Sequence, residues 1–568
     1  MINDQVKKNS IDWLLVAVII ISSYIPIVMS QLYFRHDDSQ TLLWAHEFTG
    51  NVLKVFNPSL WLGEYYKYPG VGGYYRPFES IYILFLLKIF GPNAAYFQFI
   101  NGFLVVGTII FMYKIAQVFS GKIAAFLSVI IFHLCFNSIL YGNFHVVVPF
   151  GYFFELGCFY FAARGLVKSD HKSLLLSILF LIPATNRQTT AVILPAIVLV
   201  YLLSFWRNTF PESKTKYMFL SIAVLPNLMI GFSSNASTGT VLSESPNLQT
   251  IVSFLYERLL YYGTLLTNGL TGLTVISILT LFVMFNLLDS RDYLRMITSK
   301  VPAVVFLIVA ALASGLFALI IMKFTVAAIF LSLTVLIFTL MTRKHLRYPG
   351  IWFFMSLGCF FAISFYHAAY LLEAAYALSI VLGIILYETI NKLGLSFDPK
   401  FIPTARRFGV VALGALALIL FFWYPIHVPF ISPKFKSVKV LIETNQNFKN
   451  MIRFVKDELP MEAEVYELAN HDLGFFSATR RSWSLREKAE KVKVMNIENT
   501  RAMLKVLGRY DIKLKPAREL DISLNGSSRY FIVCNNYERE IAENYYSLEL
   551  IKEFRRGNTS AAVYLLKG

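Results

Sequence analysis

Two adjacent carboxylates, Asp37 and Asp38, stand in the stretch YFRHDDSQTLLWA (33–45), directly after the first long apolar run of the chain. A carboxylate in such a place, partly buried and beside a second negative charge, has its pKa raised toward the range where it accepts a proton from a hydroxyl group. The plainer role is structural: Asp37 with Gln40 fits a capping box ahead of TLLWAHEF, which accounts for one acid but not for two. A third reading makes His36, Asp37 and Asp38 ligands of a divalent cation, although adjacent side chains rarely converge on one ion.

Cations that could serve an anionic group lie elsewhere. Arg187 falls between two short apolar runs, where an unpaired charge is expensive and the guanidinium should sit at an interface. Arg76 stands in YYRPFES and Arg258 in FLYERLLYY; His367, Tyr370 and Glu373 share FYHAAYLLEAAY, and His145 stands in YGNFHVVVP. Arginine and histidine hold phosphate oxygens through charge-assisted hydrogen bonds. Each residue also has a simpler use, as a snorkelling anchor or an interfacial hydrogen-bonding group.

The elements that must position these groups are apolar. The chain has 568 residues, 56% of them hydrophobic and 15% charged, with a mean hydropathy of +0.56. That is more apolar surface than a soluble core can bury, and marks an integral membrane protein. Spans of about 20 residues fit near 11–31, 94–113, 123–140, 147–163, 173–184, 189–206, 217–232, 264–288, 301–317, 324–342, 350–366, 373–391 and 408–425, about 13 helices in all. The first follows Lys7 and Lys8, is longer than a signal-peptide core and lacks a clear cleavage site, so it reads as a retained anchor.

The net charge of +17 follows the topology rather than a nucleic-acid surface. Lys and Arg gather in alternate loops, from Lys7 and Lys8 through Lys114, Lys122, Arg164 and Arg343 to Arg406 and Arg407. The short loops of the other side beyond residue 140 offer Arg187, Arg258 and Lys323. The positive-inside rule then places the N-terminus in the cytoplasm and the C-terminus outside, with all the candidate site residues on the outer side. Cys135, Cys158, Cys359 and Cys534 have neither zinc-ligand spacing nor a disulfide pattern.

Two outer regions exceed a turn. Residues 32–93 include the acid pair and YRPFESIYILFLLKIFG, an amphipathic stretch too short to span that should lie along the interface. Residues 233–263 open on a Ser-rich piece and close on an aromatic one. The membrane part is 1–425, and 426–568 reads as a small extracytoplasmic α/β domain. In it NFKNMIRFVKDELP is a helix, EAEVYELA, SRYFIVCNN and SAAVYLLKG are strands, and RAMLKVLGRYDIKL is a helix followed by a turn. NAS at 235–237, NGS at 525–527 and NTS at 558–560 match the glycosylation sequon.

The doubled acid after the first helix, YYRPFESIYILFLLKIFGPNAAYFQFIN, NRQTTAVILP at 186–195 and the outer C-terminal domain together resemble the C class of glycosyltransferases (GT-C). The branch resembled is that of protein mannosyltransferases and aminoarabinose transferases, and the likeness spans about 11–425. It implies a multi-pass enzyme of a bacterial or archaeal inner membrane. Such an enzyme takes a sugar from a polyprenyl-phosphate donor and passes it, with inversion, to a hydroxyl of a lipid, glycan or protein acceptor. Asp37 would be the base, with Asp38 as the alternate, and Arg187, helped by Arg76 or His367, would hold the phosphate. Many members carry Lys-Glu where this chain has Arg187 and Gln188, so a second acid is missing there. Two other functions compete: a glycan polymerase or ligase using a lipid pyrophosphate, and a transporter or flippase of lipid-linked sugars. The transporter would require midplane charges and paired broken helices, which the sequence does not display.

Overall fold

The computed structural model describes residues 51–56, 77–136, 148–168, 170–184, 343–361, 371–392, 438–467, 503–516, 529–533, 547–557 and 559–567. It also describes short pieces at 193–198, 274–280 and 332–337 and isolated positions between them. Helices α1 (Pro77–Phe90), α2 (Ala94–Cys135), α3 (Val148–Lys168), α4 (His171–Ala184), α5 (Arg347–Phe361) and α6 (Leu371–Lys392) precede α7 (Val438–Glu458) and a five-stranded sheet. Helical residues are found within the spans read near 94–113, 123–140, 147–163, 173–184, 350–366 and 373–391. The other spans, and with them the helix count, lie wholly or largely outside the described residues.

Among the described helices, Ala94–His133 and Leu371–Thr389 are long and apolar enough to cross a bilayer. As one straight rod the 42 residues of α2 would measure about 63 Å, twice the hydrocarbon thickness. The helix instead breaks at Gly121, with φ 87° and ψ −176°, a conformation that any side chain would strain. The two limbs reach the same level of α3: Gly107 lies against the Phe153 ring, and Phe132 stacks on Tyr376, which touches Tyr152. What the sequence reads as two spans separated by a loop over 114–122 is therefore two helical limbs, the first running through that loop to meet the second at Gly121.

The second limb of α2 packs on α6, whose residues from Leu371 to Ile385 are almost all buried. A Cβ on Gly383 would overlap the hydroxyl and backbone of Ser128, and Ser128 turns its hydroxyl back to the Ala124 carbonyl at 2.8 Å. Small residues where backbones meet are how apolar helices pack when lipid gives no hydrophobic drive. At the end of the bundle near Gly121, Arg164 pairs with Asp170 at 3.1 Å and His345 with Glu388 at 2.5 Å. Asp170 also caps α4, accepting from the backbone N–H groups of Lys172 and Ser173. α1 buries Ile83, Leu84 and Leu86 and leaves Phe85 and Ile89 exposed, so the stretch read as amphipathic is apolar on its outward face as well.

Strands β1 (Glu464–Glu467), β2 (Lys513–Pro516), β3 (Arg529–Val533), β4 (Leu548–Arg556) and β5 (Thr559–Leu566) form the sheet in the order β2-β1-β3-β5-β4. β1 is parallel to β2 and β3, while β5 is antiparallel to β3 and β4. Alternation divides the residues: Val465, Ile532 and Val563 face α7, and Tyr466, Phe531 and Tyr564 form a second cluster. The three stretches read as strands coincide with β1, β3 and β5, whereas β2 and β4 are additions. Both are sheet-edge strands rich in charge, and β4 carries an irregularity between Leu550 and Lys552 that breaks the period of two. The sequon at 558–560 places its Ser560 inside β5, 4% exposed, which withdraws that hydroxyl from the surface.

Arg509 closes the C-terminal end of α7. Its guanidinium donates to the carbonyls of Lys456, Leu459 and Pro460 at 2.6, 3.1 and 2.9 Å and grips Asp511 with two bonds of 2.9 Å. The helix end thus receives a cation against its exposed carbonyls. The same pairing holds the Asp511 carboxyl well below the usual carboxylate range, helped by the Glu462 N–H.

Two outcomes are expected. Gly383→Ala should lower the thermal stability of the detergent-solubilised protein by about 1–3 kcal/mol, the scale of overpacking a closed interface, whereas Ser379→Ala on the same helix should cost less. Arg509→Ala should cost roughly 3 kcal/mol. Because the Asp511 pKa is depressed by folding, that difference should be full above the unfolded value near 4 and shrink as pH falls below it, as followed by chemical denaturation from pH 8 to pH 3.

Candidate active site

The end of the bundle opposite Gly121 is built from aromatic contacts between helix ends. The C-terminal part of α2, the first turns of α3 and the first turns of α6 meet where Phe132 stacks on Tyr376 at 4.7 Å and Tyr152 meets Tyr376 edge-on at 5.7 Å. α1 joins them through Tyr82, stacked on Phe150 at 4.8 Å. Such pairs add about 0.5–1.5 kcal/mol each beyond area burial, and they fix three helix starts at one place.

Polar groups are buried within the same layer. Glu373, the sixth residue after His367, is fully buried and accepts from the Ser356 hydroxyl of α5 at 3.4 Å. It lies three residues before Tyr376, on the same helix face. Glu155, also fully buried, lies three residues after Tyr152. The contact between the two tyrosines therefore turns two acid-bearing faces toward a shared region. At the margin of this layer the Tyr82 hydroxyl donates to Asn101 Oδ1 at 2.6 Å, and burial pushes that hydroxyl above the ordinary tyrosine range. Glu79 and Gln98, 5% and 2% exposed, flank this pair in sequence.

Of the candidate residues read from the sequence, Glu373 is described. Asp37, Asp38, Arg76, His145, Arg187, Arg258, His367 and Tyr370 lie outside the described residues. Their described neighbours are informative: the helix starts that directly follow Arg76 (α1), His145 (α3) and Tyr370 (α6) in the chain are the ones that converge. Glu155, Glu79 and the Tyr82–Asn101 pair were not singled out from the sequence. The signal for Glu155 was present, since an acid inside an apolar run, here YFFELGCF, marks a functional candidate by its solvation penalty alone. Among the described residues no group of three His, Cys, Asp or Glu side chains is placed to hold a metal ion, and His36, Asp37 and Asp38 lie outside them.

No protein-family model and no curated protein matches the chain. Among solved structures it is similar to the crystal structure of ArnT from Cupriavidus metallidurans in the apo state, with 12% identity, 98% of each chain covered and a TM-score of 0.45.

Tyr82→Phe should destabilise the protein by about 1–2 kcal/mol, because buried Asn101 loses this donor. Since burial keeps the hydroxyl protonated, the loss should be the same at pH 6 and pH 9 in thermal unfolding; a loss confined to one of them would contradict the geometry.

Proposed function

We propose that the protein is an integral membrane glycosyltransferase acting on the extracytoplasmic face, transferring a sugar from a polyprenyl-phosphate donor to an acceptor hydroxyl with inversion. The observation that carries this reading is the convergence of the starts of α1, α3 and α6 at one end of the bundle. The residues just ahead of those starts, Arg76, His145, His367 and Tyr370, are ones the sequence motifs select. Helix N-termini also favour an anion, through unpaired N–H groups and the positive end of the helix dipole, which suits a phosphate.

Orientation has its own support. The described end near Gly121 gathers Lys122, Arg164, Lys168, Lys172, Arg343 and Arg347, the signature of a cytoplasmic surface. The converging helix starts are at the other end.

In the reaction, the acceptor oxygen attacks the anomeric carbon while Asp37 takes its proton, with Asp38 as the alternate base. The bond between the anomeric carbon and the phosphate oxygen breaks, and its electron pair leaves with the polyprenyl phosphate. Arg187, with Arg76 or His367, holds the charge that gathers on those oxygens. Arg258 would add to the phosphate side, and His145, Tyr370 and Glu373 would shape the acceptor side of the site. A single displacement inverts the anomeric centre. The prenyl chain would run between helices, where aromatic side chains abound.

The test is transfer of labelled sugar from a polyprenyl-phosphate pool in membranes that carry wild type or Asp37→Asn at matched expression. The wild type should transfer label and the variant should lose about 100-fold or more, the scale of a missing general base. Equal transfer by both would move the base to Asp38 or elsewhere, and no transfer by the wild type would end the reading.

A further inference from the structure

The core that holds the C-terminal domain together does not stop at the domain. Met503 and Leu504, with Met451 and Val455 of α7, belong to one apolar cluster with Leu42, Ala45 and Val55 of the first loop and with Ile83 and Leu84 of α1. Leu42 and Ala45 are completely shielded, 0% exposed, although the sequence places them in an outer region between spans. A polar contact marks the same junction: the Tyr510 hydroxyl lies 3.3 Å from His46 Nε2.

The backbone on either side of Tyr510, itself 62% exposed, is anchored. The residue before it is Arg509, bonded to the carbonyls at the end of α7, and the residue after it is Asp511, gripped by that same arginine and by the Glu462 N–H. The best-anchored turn among the described residues of the domain is therefore the one that reaches the first loop. Leu42 follows Asp38 by four residues.

We propose that the C-terminal domain is the positioning element for the acid pair Asp37 and Asp38, acting by holding Leu42, Ala45 and His46 between itself and α1. The proposal rests on the function proposed above. A base must be held to within a fraction of an ångström of its reacting geometry, and small misplacements cost rate out of proportion to their size. Burial of Leu42 and Ala45 fixes the chain a few residues on the C-terminal side of the acids. The domain then matters to the reaction without touching the substrate, and Tyr510 and His46 are positioning residues rather than catalytic ones.

The experiment uses the full-length protein in lipid nanodiscs and compares wild type, Leu42→Ala, Tyr510→Ala and Tyr510→Phe. Hydrogen exchange across 33–48 is read by mass spectrometry, together with kcat and donor KM for sugar transfer. Thermal unfolding confirms that each variant is folded, and Leu42→Ala loosens the junction without altering the domain. Faster exchange over 33–48 is expected in Leu42→Ala and Tyr510→Ala. With it should come a fall in kcat of about 10-fold or more, KM within about twofold, and a smaller effect for Tyr510→Phe. Unchanged exchange, or faster exchange with unchanged kcat, overturns the proposal, as does a loss confined to KM. If the wild type transfers no sugar, the glycosyltransferase reading and the positioning role fall together. That outcome is separable from a failed clamp, because exchange over 33–48 still reports whether the domain holds the segment.

Discussion

The described part of the bundle depends on how closely α6 approaches the second limb of α2. Apolar helices such as these are held by close packing and by backbones that can meet. Gly383 supplies the meeting point against Ser128, and everything that α6 carries is set by it. About two and three turns above, Tyr376 reaches Phe132 and Tyr152, and Glu373 reaches Ser356 of α5. The break at Gly121 is the companion constraint: by ending the first limb of α2 there, it lets the chain present Phe132 at the level of Tyr152.

A layer of aromatic and acidic residues at one end, and of paired charges at the other, follows from the same solvation argument. Arg164 with Asp170 and His345 with Glu388 are partly exposed and sit at helix ends, where water or headgroups solvate them. Glu155 and Glu373 have no such recourse, being fully buried. A carboxylate retained in an apolar helix is a standing penalty. Two of them on faces that meet through Tyr152 and Tyr376 single out this end as the place where the fold accommodates polar chemistry.

Much of this was legible in the sequence, for a reason that is physical. Long apolar runs mark α2 and α6, the described helices long enough to cross a bilayer, and β1, β3 and β5 stand out by dense alternation. β2 and β4 did not, because edge strands such as KLKP and LELIKEFRR carry charges that blunt aggregation and erase the pattern. Glu373 was legible from its place in FYHAAYLLEAAY, while Glu155 hid in a run read for its hydrophobicity. The junction between His46 and Tyr510 could not be read at all, since it joins residues 464 positions apart and neither neighbourhood has a motif that announces the other.

That junction constrains the topology more tightly than any hydropathy profile. Leu42, Ala45 and Val55 share a core with Phe448, Met451, Val465 and Val563, so in the topology read from the sequence these two parts of the chain belong on one side. The chain between them must then cross an even number of times. The spans read between 94 and 425 satisfy this, since N-terminus inside and C-terminal domain outside requires an odd total with the first crossing counted separately. An error of one span anywhere in that stretch would put the C-terminal domain across the bilayer from Leu42 and Ala45 and leave both without the cover that shields them. The parity of the membrane part as read from the sequence is thus tied to the buried side chains of Leu42 and Ala45 in the first loop, and that loop is tied to the last domain of the chain.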